Sequence, residues 1–295
     1  MKKAAVAAAA AMLAACIPAT DVPALPTGKA ASATAAPQPS PIPPRFVVSG
    51  ELTQGGWIRG QVPAGTQSAR LDDTPLMLDG SGQFFAAFDR DAGDTATLSA
   101  TLASGQIVQQ PLTIAPRAWA IEHINTPRRP GGLSNEAFLA RRKPELERIA
   151  AARAIATSSQ GWRQAFIWPS PGRISGRFGA QRVYQGEPDA YHTGLDLAGG
   201  AGTQYVAPAD GVVVLAAAQP FTLEGNLVII DHGQGLNSAF LHSSEIFVRE
   251  GQVVTQGEPI GRIGATGRAT GPHLHWAIKW HGARLDPLLF VPARN

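Results

Sequence analysis

Short apolar stretches alternate with glycine- and proline-containing turns over residues 46–116. The stretches are FVVSG, WIRGQV, SARLD, PLML, QFFAAF, TATLSATL and IVQQPLTI. Turn residues such as Gly55-Gly56 and the run Asp79-Gly80-Ser81-Gly82 separate several of them. Seven strands in about 70 residues predict a small β-sandwich or barrel. The segment has no histidine, no cysteine and no carboxylates clustered at ligand spacing, so it indicates no chemistry.

A helical pattern follows and predicts a connector within residues 117–164. Ser134 and Asn135 can cap a helix whose first turn carries Glu136. Pro144 predicts a break, after which a second helical piece begins. The basic run 141–143 is expected on a solvated face. Four apolar residues recur at the spacing of one buried helical face: Leu146, Ile149, Ala150 and Ala154.

From residue 165 to the end of the chain, strand-like runs and glycine turns return. The runs are VVVLAAA, NLVIIDHG, NSAFLH, IFVREGQVV and HLHWAIKW. The fold class that these patterns predict is therefore mainly β, with a short helical connector between two β-rich parts. Six of the seven histidines of the chain fall in the second part: His192, His232, His242, His273, His275 and His281.

Residues 1–15 have the composition of a secretory signal peptide, with two lysines before an apolar run that is too short to span a bilayer. The segment Leu13-Ala14-Ala15-Cys16 resembles the lipobox of bacterial lipoproteins, which implies that Cys16 becomes the lipidated N-terminus. Ile17, in place of an aspartate, favours the outer membrane over the inner membrane. The alternative is an ordinary signal peptide with an incidental cysteine. Because Cys16 is the only cysteine, the chain has no internal disulfide and no multi-cysteine metal site.

Residues 16–45 are dominated by alanine, proline, serine and threonine, with eight prolines between Pro18 and Pro44. Such a segment cannot bury a core, so it predicts a lipid-anchored disordered tether. The chain of 295 residues has a formal charge of +3, and Lys2 and Lys3 lie in the predicted signal peptide. The remaining charge is close to neutral and gives no argument for a nucleic-acid partner.

The histidines of the C-terminal part occur at spacings that suit a metal centre. His192 and Asp196 are four residues apart, and His273 and His275 are two apart. In a strand, residues at i, i+2 and i+4 point to the same face, so each pair can present both members to one point. Two or three imidazoles and one carboxylate form the kind of ligand set that zinc takes in catalytic sites, where one coordination position of the metal stays open. Taken singly, each motif is more often a structural histidine; together with His242 between them, they favour a metal centre.

Residues 165–295 resemble the lysostaphin/LytM-type zinc metallopeptidases, a family of bacterial peptidoglycan endopeptidases, and the layout is similar to that of Gram-negative lipoprotein members. The segments that carry the resemblance are FIWPSPGRISGRFGAQR, YHTGLDLAGGAGTQYVAPADGVVV, GNLVIIDHGQGLNSAFLH, VREGQVVTQGEPIGRIGATGRATGPHLHW and LDPLLF. The resemblance implies an antiparallel two-sheet metallopeptidase domain with zinc at the floor of a groove walled by loops.

Carried over by position, the resemblance makes His192, Asp196 and His275 the ligands of one Zn²⁺ per chain. His242 and His273 become the catalytic pair beside the metal, and the sequence does not say which of them is the general base. All five positions keep the family's residues. This matters because relatives that have lost ligands act as activators or scaffolds.

Three further residues are candidate substrate contacts. Arg182 and Asn226 are proposed by family analogy, and Thr270 because it belongs to the glycine-rich loop that leads into the HLH motif. His232 is expected to be structural and to close a turn with Asp231.

The sequence therefore predicts a periplasmic zinc endopeptidase that is anchored to the outer membrane as a lipoprotein. Its expected partners are peptidoglycan stem peptides and, through the lipid, the membrane. Whether a protein regulator also binds is left open by the sequence. The resemblance implies cleavage of D-alanyl–diaminopimelate cross-links. The alternative is a non-hydrolytic or latent LytM-like wall-binding protein that activates an amidase.

Overall fold

The computed structural model describes residues 43–125 and 135–294. The predicted signal peptide, Cys16, most of the tether and Ser134 lie outside the described residues. In the part of the chain that is described, no helix is long and apolar enough to cross a membrane.

Seven strands lie between residues 46 and 116, where seven are predicted. They are β1 Val47–Gly50, β2 Trp57–Gln61, β3 Thr66–Leu71, β4 Thr74–Pro75, β5 Gln83–Ala87, β6 Thr95–Leu102 and β7 Ile107–Thr113. Strands β1, β2 and β5 form one antiparallel sheet, and β4, β3, β6 and β7 form another in that order. Alternation of buried and exposed positions explains why these segments form strands. In β6, every second residue is buried: Ala96, Leu98, Ala100 and Leu102.

The described residues of the connector form the strand β8 Ile121–Ile124, the α-helix α1 Asn135–Arg153 and a short 3-10 helix, Gly161–Arg163. The predicted break at Pro144 is wrong, because α1 runs through this residue without interruption. Arg142 and Glu145 flank the proline, and both bond to the turn that contains Thr222 and Glu224. These contacts hold both sides of the proline in one helix, against the usual cost of a proline in a helix interior.

The buried face of α1 also differs from the prediction. Leu146 is 48% exposed, whereas Arg142, in the basic run expected to be solvated, is 9% exposed. The inward positions are Arg142, Glu145, Ile149 and Ala152, which recur every three or four residues. Ion pairs as well as apolar contacts therefore dock this helix, and a search for apolar periodicity alone selects the wrong face.

Thirteen strands make up the C-terminal part between residues 165 and 294. They are β9 Arg173–Gly176, β10 Gln181–Tyr184, β11 Glu187–Pro188, β12 Leu195–Ala198, β13 Gln204–Val206, β14 Gly211–Phe221, β15 Gly225–Asp231, β16 Leu236–Ser243, β17 Glu245–Ile246, β18 Val253–Val254, β19 Pro259–Arg262, β20 Leu274–Trp280 and β21 Ala283–Leu285. The main antiparallel sheet has the order β18-β14-β15-β16-β20-β12-β9, and β21 pairs with β20. A second sheet has the order β13-β19-β17. The prediction of a mainly β fold with an antiparallel two-sheet C-terminal part is confirmed.

One small sheet joins the connector to the C-terminal part. Strand β8 pairs in parallel with β10, and β10 pairs antiparallel with β11. No pattern in the sequence predicts this pairing, because β8 is short and its burial does not alternate.

The N-terminal β-rich part and the C-terminal part share a hydrophobic core. The Trp57 indole lies 5.3 Å from the ring of Phe290, and its Nε1–H donates to the Leu289 carbonyl at 2.9 Å. Phe85 contacts both Trp280 and Phe290 with ring centroids 6.5 and 6.4 Å apart. This continuity indicates that experiments on the C-terminal part are best done with both parts present.

Candidate active site

Strand register brings two of the predicted ligands together. Asp196 on β12 and His275 on β20 are directly opposite each other in the antiparallel ladder. Opposed residues of one face have their Cβ atoms about 5 Å apart, within reach of a shared ligand. Leu241 on β16 is the neighbour of His275 on the other side. The centre of the main sheet is therefore the floor of the candidate site.

His192 reaches this floor from a loop, since β12 begins only at Leu195. The expectation that one strand carries both His192 and Asp196 is thus wrong, because His192 precedes the strand. The two side chains nevertheless meet. The loop is fixed by hydrogen bonds of His192 N–H to the Ala180 carbonyl and of Gly179 N–H to the His192 carbonyl, at 2.8 and 2.9 Å. The His192 ring is oriented by its Nδ1, which lies 2.9 Å from the Arg177 carbonyl.

Three side-chain atoms converge above the sheet. His192 Nε2 lies 3.0 Å from Asp196 Oδ1 and 3.1 Å from His275 Nδ1, and the latter two atoms are 2.9 Å apart. Tetrahedral zinc with ligand bonds of about 2.0–2.2 Å separates its ligand atoms by about 3.3–3.5 Å, so the observed triangle is within a few tenths of an ångström of a zinc face. The three atoms form the one cluster of this kind found among the described residues.

The protonation pattern of the cluster also suits a bound cation. A carbonyl oxygen only accepts, so the His192 Nδ1 must donate to Arg177, which leaves Nε2 with a lone pair in the neutral ring. That lone pair, the Asp196 carboxylate and the His275 nitrogen then face one another and are compatible only with a shared proton or a cation. The bond of His192 Nδ1 to a carbonyl is also the outer contact that metal-bound histidines usually make.

The pKa values of the three residues are shifted by burial and by their mutual contacts. Burial lowers the pKa of His192, but the Asp196 carboxylate more than compensates and leaves the pKa above its ordinary value. Burial would raise the pKa of Asp196, yet hydrogen bonds with His192 and His275 hold it well below its usual range. His275 is 8% exposed, and burial lowers its pKa. The carboxylate is thus ionised and available to a metal at neutral pH.

His273 and His242 lie beside these three residues. Their ring centroids are 4.9 Å apart, and His273 Nε2 lies 3.7 Å from Asp196 Oδ1. The Nδ1 atoms lie 2.8 Å from the carbonyls of Gly271 and Thr266 respectively. Each neutral ring therefore keeps its proton on Nδ1 and offers a lone pair at Nε2. Burial lowers the pKa of His242, and the neighbouring imidazoles lower it further against the effect of the Thr266 carbonyl.

The backbone at His242 is unusual. Its φ is +65°, in the left-handed region that non-glycine residues rarely adopt. Strand alternation would place the consecutive residues Leu241 and His242 on opposite faces, yet both line the same cavity. The left-handed turn at the end of β16 therefore brings the His242 ring to the site, at a cost of about 1 kcal/mol in backbone strain.

The cavity around the five residues has a volume of about 830 Å³. One wall consists of residues from β8 and β10, including Glu122 and Arg182, which form an ion pair at 2.8 Å. Leu223, Glu224 and Arg268 also line the cavity. The contributions of β8 and of the turn at 223–224 were missed by the sequence analysis, because neither carries a motif.

The three candidate substrate contacts have different positions. Arg182 lines the cavity, whereas Asn226 and Thr270 do not. The Asn226 side chain donates to the Ser243 carbonyl at 3.0 Å, and its backbone N–H donates to Thr266 Oγ1 at 2.9 Å. This places Asn226 behind the strand end that carries His242 and outside the cavity wall, so direct contact of Asn226 with substrate is not what the geometry favours.

His232 is buried in the core, but its predicted partner is wrong. Its ring bonds to the Asp210 carbonyl and to Ser238 Oγ, both at 2.8 Å. Asp231 instead accepts from Thr157 and Asn237. Strand β15 ends at Asp231, and His232 lies just beyond it, so the two side chains have separate partners.

Residues 190–287, which carry the ligand triangle and the two further histidines, match peptidase family M23. The C-terminal part of the chain is therefore a peptidase family M23 domain, and its lysostaphin/LytM-type resemblance is confirmed.

Relatives of this domain include both an activator and an enzyme. The murein hydrolase activator NlpD of Salmonella dublin is 36% identical over 141 residues, which are 48% of this chain and 35% of that protein. The peptidoglycan DD-endopeptidase ShyA of Vibrio cholerae is 42% identical over 126 residues, which are 42% of this chain and 29% of that protein. The chain thus matches about a third of the length of these curated relatives.

A solved structure resembles a larger share of the chain. A crystal structure assigned to peptidase M23 from Pseudomonas aeruginosa is 26% identical, with a TM-score of 0.62, and the match covers 83% of this chain and 96% of that one. The structural likeness therefore extends beyond residues 190–287.

Proposed function

We propose that the chain is a zinc-dependent endopeptidase that hydrolyses peptide cross-links of peptidoglycan, with D-alanyl–diaminopimelate bonds as the substrate. The observation that carries this proposal is the complete site: three ligand atoms 2.9–3.1 Å apart, with two further imidazoles facing the same cavity. A protein that only binds the cell wall has no chemical need for this combination.

His192, Asp196 and His275 would hold the zinc ion. Two neutral imidazoles and one carboxylate leave a net charge of +1 at such a site. When bound, the ion supplies positive charge that polarises a peptide carbonyl and lowers the pKa of water. The Arg177 carbonyl keeps the His192 ring in the orientation and tautomer that this role needs.

His242 and His273 would perform the proton transfers. Each has a lone pair at Nε2, because Nδ1 donates to a carbonyl. One ring accepts the proton of the attacking water and returns it to the leaving amine, while the other, when protonated, donates from Nε2 to the developing oxyanion. The lowered pKa of His242 keeps this ring neutral at pH 7, which suits it to accepting a proton.

The proposed substrate and location draw on the sequence and on the relatives. The similarity to a peptidoglycan DD-endopeptidase supports a cell-wall peptide as substrate. The signal-like residues 1–15 and Cys16 support export and lipid anchoring, and we place the protein in the periplasm at the outer membrane. Residues 16–45 would then serve as a tether between the lipid and the folded part.

The similarity to a murein hydrolase activator supports a second candidate, a protein that activates an amidase without hydrolysing peptides. The test incubates the mature chain with purified sacculi, with and without an amidase, and analyses the muropeptides. An endopeptidase removes cross-linked dimers by itself, and His242→Ala abolishes this. An activator leaves dimers intact, increases peptide release only when the amidase is present, and retains that effect in His242→Ala.

A further inference from the structure

Several charged residues that line the cavity have partners within the protein, among them Asp189, whose Oδ1 accepts from the Ala190 N–H at 2.8 Å. Glu122 pairs with Arg182, Asp196 contacts the histidines, and Glu224 pairs with Arg142. Across residues 43–125 and 135–294, Arg268 has neither an ion pair nor a side-chain hydrogen bond, and it is exposed at the cavity wall. A cation without a partner at the rim of a substrate cavity is available to an anionic group of the substrate.

The backbone of Arg268 is firmly placed, although its side chain is exposed. Its N–H donates to the Leu223 carbonyl at 3.0 Å. Two residues earlier, the Thr266 carbonyl lies 2.8 Å from His242 Nδ1. Gly267 between them has a φ of +73°, and a Cβ there would come within 2.2 Å of the Gly225 nitrogen, so the two turns are tightly packed. The backbone of Arg268 is thus fixed two residues from the carbonyl that orients His242.

The fold also keeps the neighbouring carboxylate away from Arg268. Glu224 follows Leu223, to which the Arg268 backbone is bonded. Both oxygens of Glu224 are occupied by Arg142, with Nη2 at 2.5 Å from Oε1 and Nη1 at 2.6 Å from Oε2. A bidentate pair of this kind satisfies the carboxylate. Helix α1 therefore leaves Arg268 without an internal counterion.

We propose that Arg268 binds a carboxylate next to the scissile amide of the substrate peptide and so selects peptides that carry this group. The proposal rests on the proposed function and names the substrate feature that this site reads. In a D-alanyl–diaminopimelate cross-link, the amide nitrogen is attached to a carbon that also bears a carboxylate. The planar guanidinium of arginine matches a carboxylate with two parallel hydrogen bonds.

The test uses two cross-linked peptides that differ only in this group, one with the free carboxylate and one with a carboxamide. Affinity is measured by calorimetry on the metal-free full mature chain, and kcat/KM is measured on the zinc-loaded chain. The variants are Arg268→Gln, Arg268→Lys and, as the matched control, Arg249→Gln, which removes an exposed arginine outside the cavity.

Wild type and Arg249→Gln should prefer the carboxylate peptide by about tenfold or more in affinity. Arg268→Gln should lose this preference, mainly through weaker binding of the carboxylate peptide, and Arg268→Lys should keep part of it. A preference that persists in Arg268→Gln, or equal affinities in wild type, would overturn the proposal. If wild type shows the preference in binding but cleaves neither peptide, the carboxylate site stands and the proposed endopeptidase function fails.

Discussion

The Nε2 atom of His192 lies 3.1 Å from the Nδ1 atom of His275, and both lie within 3.0 Å of the same Asp196 oxygen. One histidine comes from a loop and the other from the centre of the main sheet. Their convergence on one carboxylate oxygen defines the metal centre that we propose, and several expectations depend on it.

Loss of a ligand should remove the metal. His275→Ala eliminates one corner of the triangle and should weaken zinc binding by at least about 100-fold. Zinc content after dialysis, measured by mass spectrometry, should fall from about one per chain to near zero. The control is His281→Asn, because His281 is exposed and asparagine tolerates its φ of +46°. Unchanged zinc content in His275→Ala would refute the ligand assignment.

Loss of a histidine from the second pair should reduce hydrolysis without removing the metal. His242→Ala should retain zinc, since the ligand triangle does not include this ring. Its kcat should fall by about 10²–10⁴-fold, the range that a positioned acid or base contributes. Zinc content and cleavage of a cross-linked muropeptide are measured on the same preparation. Near-normal hydrolysis by His242→Ala would exclude this ring from the proton transfers.

The ion pairs of α1 should stabilise the fold. Arg142→Gln leaves the largely buried carboxylates of Glu145 and Glu224 without their cation and should lower the free energy of unfolding by about 3 kcal/mol. Arg141→Gln, at the exposed neighbouring position, should change it by less than about 0.5 kcal/mol. Urea denaturation of both variants measures the difference. Equal midpoints would mean that α1 does not depend on this contact.

His232 should make stability depend on pH. Burial lowers its pKa to about 4, against the opposing effect of the Asp210 carbonyl, which lies 2.8 Å from Nδ1. Above the unfolded-state pKa of about 6.5, both states are neutral and the full stability is present. As the pH falls towards 4, only the unfolded state takes up the proton, so stability should decrease by about 3 kcal/mol.

The variant His232→Gln isolates this effect. It should be less stable than wild type at pH 7.5, and its free energy of unfolding should fall less steeply between pH 6.5 and 4. The exposed His123→Gln should keep the wild-type slope. Parallel pH profiles for wild type and His232→Gln would show that this ring is not the group that titrates.

Much of the fold is visible in the sequence because its strands are short and alternate, as in β6, and because glycine turns separate them. The HxH spacing likewise places His273 and His275 on one side of the chain. Three features escape this reasoning for physical reasons. Ion pairs keep α1 helical through Pro144 and select a buried face that apolar spacing does not predict. A left-handed φ turns the His242 ring towards the cavity. His192 comes from a loop whose hydrogen bonds are made with residues distant in the sequence.

The central claim is that one metal ion at His192, Asp196 and His275 drives the cleavage of a cross-linking peptide bond. The most direct test titrates the metal-free mature chain with zinc and follows the conversion of a purified cross-linked muropeptide dimer to monomers by chromatography and mass spectrometry. Our account predicts that hydrolysis rises with zinc, saturates at one equivalent per chain, and is absent in His275→Ala. Dimers that remain intact at one bound zinc per chain, or hydrolysis that does not depend on zinc, would contradict it.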